Sequence, residues 1–202
     1  MTLSLLMLAG CGGGSSETVE APDASEAETP AVETADPIGM HHAEIEIRDY
    51  GTVSVELDGD TAPITVQNFM DLANAGFYDG LTFHRIIDGF MIQGGDPNGD
   101  GTGGSGKNIP GEFEANGYTN NIAHTKGVIS MARAQDPNSA SSQFFIMVAD
   151  APHLDGMYAA FGHVTDGQDV VDKIAADAVP LDENGTMAAE DQPVIESVKI
   201  ID

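Results

Sequence analysis

The chain has 202 residues, enough for one domain of ordinary size and a tail. Its 33 Asp and Glu stand against only 7 Lys and Arg, a formal net charge of −26, which argues against a nucleic-acid binder and against docking on an anionic bilayer through charge alone. A single cysteine, Cys11, rules out an intrachain disulfide and a cysteine-rich zinc site.

Residues 1–11 read MTLSLLMLAGC, an apolar run far shorter than the roughly 20 residues of a spanning helix. Its length suits a secretory signal peptide. The ending Leu8-Ala9-Gly10-Cys11 resembles a bacterial lipobox, so Cys11 is expected to carry lipid after cleavage. No Lys or Arg precedes the run, a departure that a start site assigned too far downstream would explain. Residues 12–41 are rich in Gly, Ser, Glu, Ala, Thr and Pro, with seven acidic residues and no basic one. Such a segment cannot bury enough apolar surface to offset its ordering entropy, and a disordered acidic tether is expected. Its end-to-end distance would be roughly 30 Å.

The domain is expected over 42–202 and is mainly β in pattern. Ala43 to Arg48 and Thr52 to Leu57 alternate apolar and polar residues, with Tyr50-Gly51 as a hairpin turn. A helix is predicted from Thr61, as its cap, through Pro63 to a stop at Gly76, and a second over Asp169 to Asp177. Val194 to Ile201 alternates again. Short strands with two helices suggest a closed barrel or sandwich capped by those helices.

Two motifs fail when their mechanics are examined. Gly101 to Lys107 imitates a phosphate loop, but Asn108 stands where Ser or Thr should ligate magnesium, and Ile109-Pro110-Gly111 opens no helix. Asp96, Asn98 and Asp100 begin like a calcium loop whose twelfth position is Lys107 instead of Glu. No nucleotide, metal or other cofactor is expected. Covalent catalysis has no candidate nucleophile.

The centre of the domain is more specific. FHRIIDGFMIQGGD, from Phe83 to Asp96, sets Arg85 and Gln93 among apolar neighbours. It is followed by Ser130-Met-Ala132-Arg133, by Ser142-Gln143-Phe144-Phe145-Ile146, and by Leu154-Asp155-Gly156 leading to Phe161-Gly162. These segments, in this order, resemble cyclophilin-type peptidyl-prolyl cis-trans isomerases, with similarity over about Ala43 to Asp202. The resemblance implies a closed eight-stranded antiparallel β-barrel capped by two α-helices, with the active site on its outer face.

It also implies roles. Arg85 would be the catalytic group, with Gln93 and Phe145 beside it. Phe90, Met91, Phe145 and Leu154 would form the proline pocket. Ala132, Arg133 (through its backbone) and Gln143 would line the groove for residues preceding proline. Two positions depart from the family pattern: His153 replaces a common Trp on the rim that grips cyclosporin, which removes support for strong inhibition by that drug, and Tyr158 replaces a common His at the pocket edge. Arg133, where eukaryotic members often carry Asn, reads as a bacterial-type variant. Singly, Phe145 or Leu154 would pass for plain core and Arg85 for a surface ion-pair partner; the joint match decides against that.

The expected function is therefore isomerisation of Xaa-Pro bonds in unfolded or exported proteins by a monomer. It would be extracytoplasmic and anchored in a bacterial cell membrane through Cys11. The alternative is a tethered proline-peptide binding module or holdase without useful turnover. Seven of the acidic residues lie in the tether, so the domain itself carries about −19.

Overall fold

The computed structural model describes residues 35, 36 and 38–202. Cys11, the signal-like run and nearly all of the expected tether lie outside the described residues. Eight strands and two helices follow in the order β1 (Met40–Ile47), β2 (Gly51–Asp58), α1 (Pro63–Asn74), β3 (Thr82–Ile87), β4 (Met91–Asp96), β5 (Val128–Met131), β6 (Phe144–Met147), β7 (Ala160–Asp166), α2 (Gln168–Asp177) and β8 (Ile195–Ile200). The first strand starts two residues before the expected domain boundary, because Ile38 and Gly39 are already pinned to Gly59 by backbone bonds of 3.1 and 2.9 Å. Its hairpin to β2 turns through Asp49, the one non-glycine among the described residues with a positive φ, at 65°. Asp tolerates this left-handed conformation better than most residues.

All eight strands form one antiparallel sheet in the order β3-β4-β6-β5-β7-β2-β1-β8. Its two ends meet: Thr82 bridges Val194, and the amides of Phe83 and Ile195 reach the carbonyls of Pro193 and Leu81 at 2.9 and 2.8 Å. Curling the sheet this way removes the unpaired edges that an open sheet would expose. Along β1 and β2, residues 43, 45, 47, 53, 55 and 57 are buried while their neighbours are not. The alternation directs Val55, Ile92, Phe144 and Ile146 into one interior core. Both helices add to that core, α1 through Val66 and Phe69, α2 through Val171 and Ile174. Phe69 lies within 5.6 Å, ring to ring, of Tyr78, Phe144 and Phe161.

One local expectation is corrected. Thr61 does not cap α1; the N-cap is Ala62, with no side-chain cap bond of its own. Pro63 takes the first helical position, and the Thr61 hydroxyl donates to Asp58 instead. The free amides at the helix start, Ile64 and Thr65, donate to the two carboxylate oxygens of Glu112 at 3.1 and 2.7 Å. Glu112 is buried, and burial raises its pKa although these bonds oppose the shift. A glutamine there would present an NH2 group to one of the amides. Glu112→Gln is therefore expected to cost about 2 kcal/mol and to lower the melting temperature by roughly 4–8 °C; an unchanged thermal melt would show that the carboxylate is not the cap.

Candidate active site

The pleat that turns one set of side chains inward turns the alternate set out. On β3, β4 and β6, residues Arg85, Gln93 and Phe145 are cross-strand partners in a single row: Arg85 opposite Gln93, and Gln93 opposite Phe145. Beneath that outer row lies a second, smaller apolar cluster, separate from the interior core, which includes Met91, Val128, Phe145, Met147, Leu154 and Ala160. The site thus has its own hydrophobic footing.

A cavity of about 210 Å³ opens there, lined by Arg85, Phe90, Met91, Gln93, Ala132, Arg133, Phe145, Leu154 and Tyr158. Nine expected residues come together in it. Gln143 lines an adjoining groove of about 430 Å³, which shares Gln93, Ala132 and Arg133 and runs along the glycine-rich loop from Gly101 to Gly106. His153 lines neither; it is exposed and stacks on Phe90 with centroids 5.8 Å apart.

Arg85 is held from two sides. Its Nε donates to the carbonyl of Asn184 at 2.8 Å, and its Nη1 to Gln93 Oε1 at 3.1 Å. The chain of bonds continues outward, Gln93 Nε2 to Gln143 Oε1 at 2.9 Å, and Gln143 Nε2 to the carbonyls of Gly101 and Gly103 at 3.1 and 2.9 Å. Each amide can only lie one way round, because a guanidinium donates and a carbonyl accepts. Among the described residues, Arg85 Nη2 takes no hydrogen-bond acceptor. Partial burial draws the Arg85 pKa down, with Tyr158 and Asp182 acting the other way. An arginine starts so high that it stays charged.

The other cation of the site is differently placed. Arg133 donates from Nε and Nη2 to the Met157 carbonyl and from Nη1 to the Ala134 carbonyl, and its guanidinium lies 5.0 and 4.7 Å from the Phe113 and Tyr158 ring centres. Those partners engage all three of its nitrogens and one face of the guanidinium, so the side chain braces the groove wall. The turn that leads into the glycine-rich loop has its amides occupied: those of Asn98, Asp100 and Gly101 all donate to the Asp96 carboxylate. Among the described residues no group of three or more His, Cys, Asp or Glu is arranged to hold a metal ion.

Several groups at the site carry no signature in the sequence. The Asn184 carbonyl that anchors Arg85 sits 99 residues away in an irregular segment. His124 and Ser130 are buried polar residues beside Phe145, and Asp155 joins them. His84, by contrast, lies buried with neither ring nitrogen hydrogen-bonded among the described residues, and burial lowers its pKa.

Comparison with known proteins decides the family. The family model for "Cyclophilin type peptidyl-prolyl cis-trans isomerase/CLD" matches residues 42–202. The chain belongs to the cyclophilin-type peptidyl-prolyl cis-trans isomerases. It is 50% identical to peptidyl-prolyl cis-trans isomerase B of Bacillus subtilis over 121 residues, which is 60% of this chain and 81% of that protein. Over 125 residues it is also 50% identical to peptidyl-prolyl cis-trans isomerase-like 1 of Rhizopus delemar, covering 61% and 74% of the two chains. A cyclophilin-type isomerase of Cryptosporidium parvum superposes with a TM-score of 0.71 at 30% identity, over 81% of this chain and 98% of that one. The same Cryptosporidium isomerase crystallised in the presence of the dipeptide Ala-Pro superposes at 0.70. This cyclophilin is thus an isomerase whose eight-stranded barrel and two helices follow the family fold.

Proposed function

We propose that this cyclophilin accelerates the folding of exported proteins at a cell envelope, anchored through lipid on Cys11, and that Arg85 supplies the catalytic contact. The observation that carries the catalytic assignment is the Arg85 guanidinium at the wall of an apolar cavity, fixed through Nε and Nη1 with Nη2 unengaged. Rotating an Xaa-Pro amide means crossing a barrier of about 18–20 kcal/mol that originates in C–N resonance. As resonance is lost the proline nitrogen regains its lone pair. A fixed N–H donor beside that nitrogen binds the twisted amide better than the planar one, and only such a difference accelerates the reaction. The proline ring would rest on Phe90, Met91, Phe145 and Leu154, while Gln93 holds Arg85 and bonds the peptide. Residues preceding proline would follow the groove past Ala132, the Arg133 backbone and Gln143. The dipeptide used with the Cryptosporidium isomerase fits this choice of ligand.

A protease-coupled assay on an Xaa-Pro peptide tests the chemistry. Rapid cis-to-trans conversion is expected. Binding of the peptide without acceleration would turn the reading to a proline-peptide binding module or holdase. Anchoring has its own test in cells given labelled fatty acid: label is expected in the wild type and absent from Cys11→Ser, and equal labelling would refute the lipid anchor.

Charge bears on client choice. The domain as a whole carries a formal charge of about −19, which favours the approach of cationic segments. Peptides with Lys beside the Xaa-Pro pair are expected to show kcat/KM several-fold above their Glu counterparts at 10 mM salt, with the difference vanishing near 0.5 M. A charge-blind, salt-independent rate would overturn this.

A further inference from the structure

Behind Phe145 sits a polar relay, buried at His124 and Ser130 and reaching solvent at Asp155, that the isomerisation chemistry above does not use. His124 is 1% exposed and Ser130 fully buried. The His124 Nδ1 lies 3.0 Å from Asp155 Oδ1, and its Nε2 lies 3.0 Å from Ser130 Oγ. The same carboxylate oxygen accepts the His124 backbone amide at 2.7 Å. Because an ionised carboxylate only accepts, Nδ1 must carry the proton; Nε2 is then the acceptor and the Ser130 hydroxyl donates to it. The arrangement has the connectivity of a Ser-His-Asp triad, yet the fully buried serine has no access to substrate. It must do something other than acyl transfer.

Its position shows what. The imidazole stacks on Phe145, centroids 6.1 Å apart and planes 18° apart, and the Tyr158 ring meets Phe145 edge-on at 5.9 Å. Asp155 belongs to the segment that carries Leu154 and Tyr158 into the pocket. The Ala151 amide, at the head of that segment, donates to the His124 carbonyl at 2.8 Å. One residue therefore backs the pocket floor and pins the loop that forms its far wall.

We infer that His124 is a positioning residue for isomerisation: in its neutral form with the proton on Nδ1, it holds Phe145 and the 151–158 segment in the geometry that grips the twisted prolyl group. The inference rests on the assignment of Phe145 and Leu154 to the proline pocket. It carries a pH signature. A second proton on the ring would point Nε2–H at Ser130 Oγ, force the buried hydroxyl to find another acceptor and put a cation beneath Phe145. The charged or titratable groups facing His124 are Asp155, which favours that proton, and His153, which opposes it; burial outweighs both and lowers the His124 pKa. Tyr158 lies beyond Phe145. The isomerase should therefore lose activity on acidification, with a midpoint below the ordinary histidine value of about 6.5.

The experiment is kcat/KM against pH for wild type, His124→Gln, Asp155→Asn and Phe145→Ala, each checked for a folded circular-dichroism spectrum. A displaced floor residue should cost about tenfold in His124→Gln, carried by kcat rather than KM, with the acid limb gone because an amide does not titrate there. Asp155→Asn removes the charge that favours the proton, so the limb should move to lower pH; this variant decides the matter if His124→Gln does not fold. A wild-type rate in folded His124→Gln, a persisting limb in it, or an unmoved limb in Asp155→Asn would overturn the inference. Phe145→Ala separates the two levels. If it is slow while His124→Gln is not, only the positioning role fails; if it is as fast as wild type, the pocket assignment itself fails.

Discussion

Arg85→Ala is expected to lower kcat/KM on an Xaa-Pro peptide by about a hundred- to a thousandfold, the usual loss when one preorganised donor to a transition state is removed. The fold should survive, because the side chain is only half-buried and its bonds to Asn184 and Gln93 lie at the edge of the site. Arg85→Lys sharpens the reading. Lysine keeps the charge but has no planar fork, so it cannot hold the Asn184 carbonyl and the Gln93 oxygen from one end and still present a fixed donor. A loss nearly as large as that of alanine is expected. The check is a protease-coupled assay with melting curves run in parallel; a rate within threefold of wild type for Arg85→Ala would remove Arg85 from the chemistry.

Gly162→Ala should give the largest effect on stability. Gly162 lies within the sheet on β7, paired with Leu57 of β2 and Ile129 of β5. A Cβ built there would fall 2.2 Å from the backbone oxygen of Glu56 and 3.1 Å from Leu57 Cα. Neither is the loose end of a side chain, so the β2–β7 pair would have to part. The cost is about 3–5 kcal/mol, or roughly 6–20 °C in melting temperature for a domain of this size. A melting temperature within 2 °C of wild type would mean the strands separate here more easily than the close approach implies.

How far these features could be read in advance depended on where their causes lie along the chain. The hairpin of β1 and β2 was legible because each strand buries one face and so alternates; the last strand instead buries Ile195 and Val198, three apart, across a register shift opposite Glu46 and Ile47. Strands β5 and β6 are buried at all four positions; with no alternation to read, only their motif residues marked them. The pocket residues were legible for the same reason, since Arg85, Gln93 and Phe145 stand in motifs that name them together. Contacts between distant segments were not. Nothing near Thr61 says that a carboxylate 47 residues beyond Thr65 will take over the capping. Nothing beside His124 says that strand register will set it under an aromatic ring. Both are buried polar groups whose partners are chosen by the completed fold.

The mooring of Arg85 on Asn184 has a consequence for how activity is acquired. A chain is made from its N-terminus at about 5–20 residues per second, so Arg85 is synthesised many seconds before the carbonyl that orients it. The sheet itself closes only when the segment from Pro193 onward docks between β1 and β3. A nascent chain that ends before Asn184 would hold every pocket residue and still lack one of the two anchors that fix the guanidinium. Full mooring of the catalytic guanidinium is thus one of the last things the growing chain can acquire.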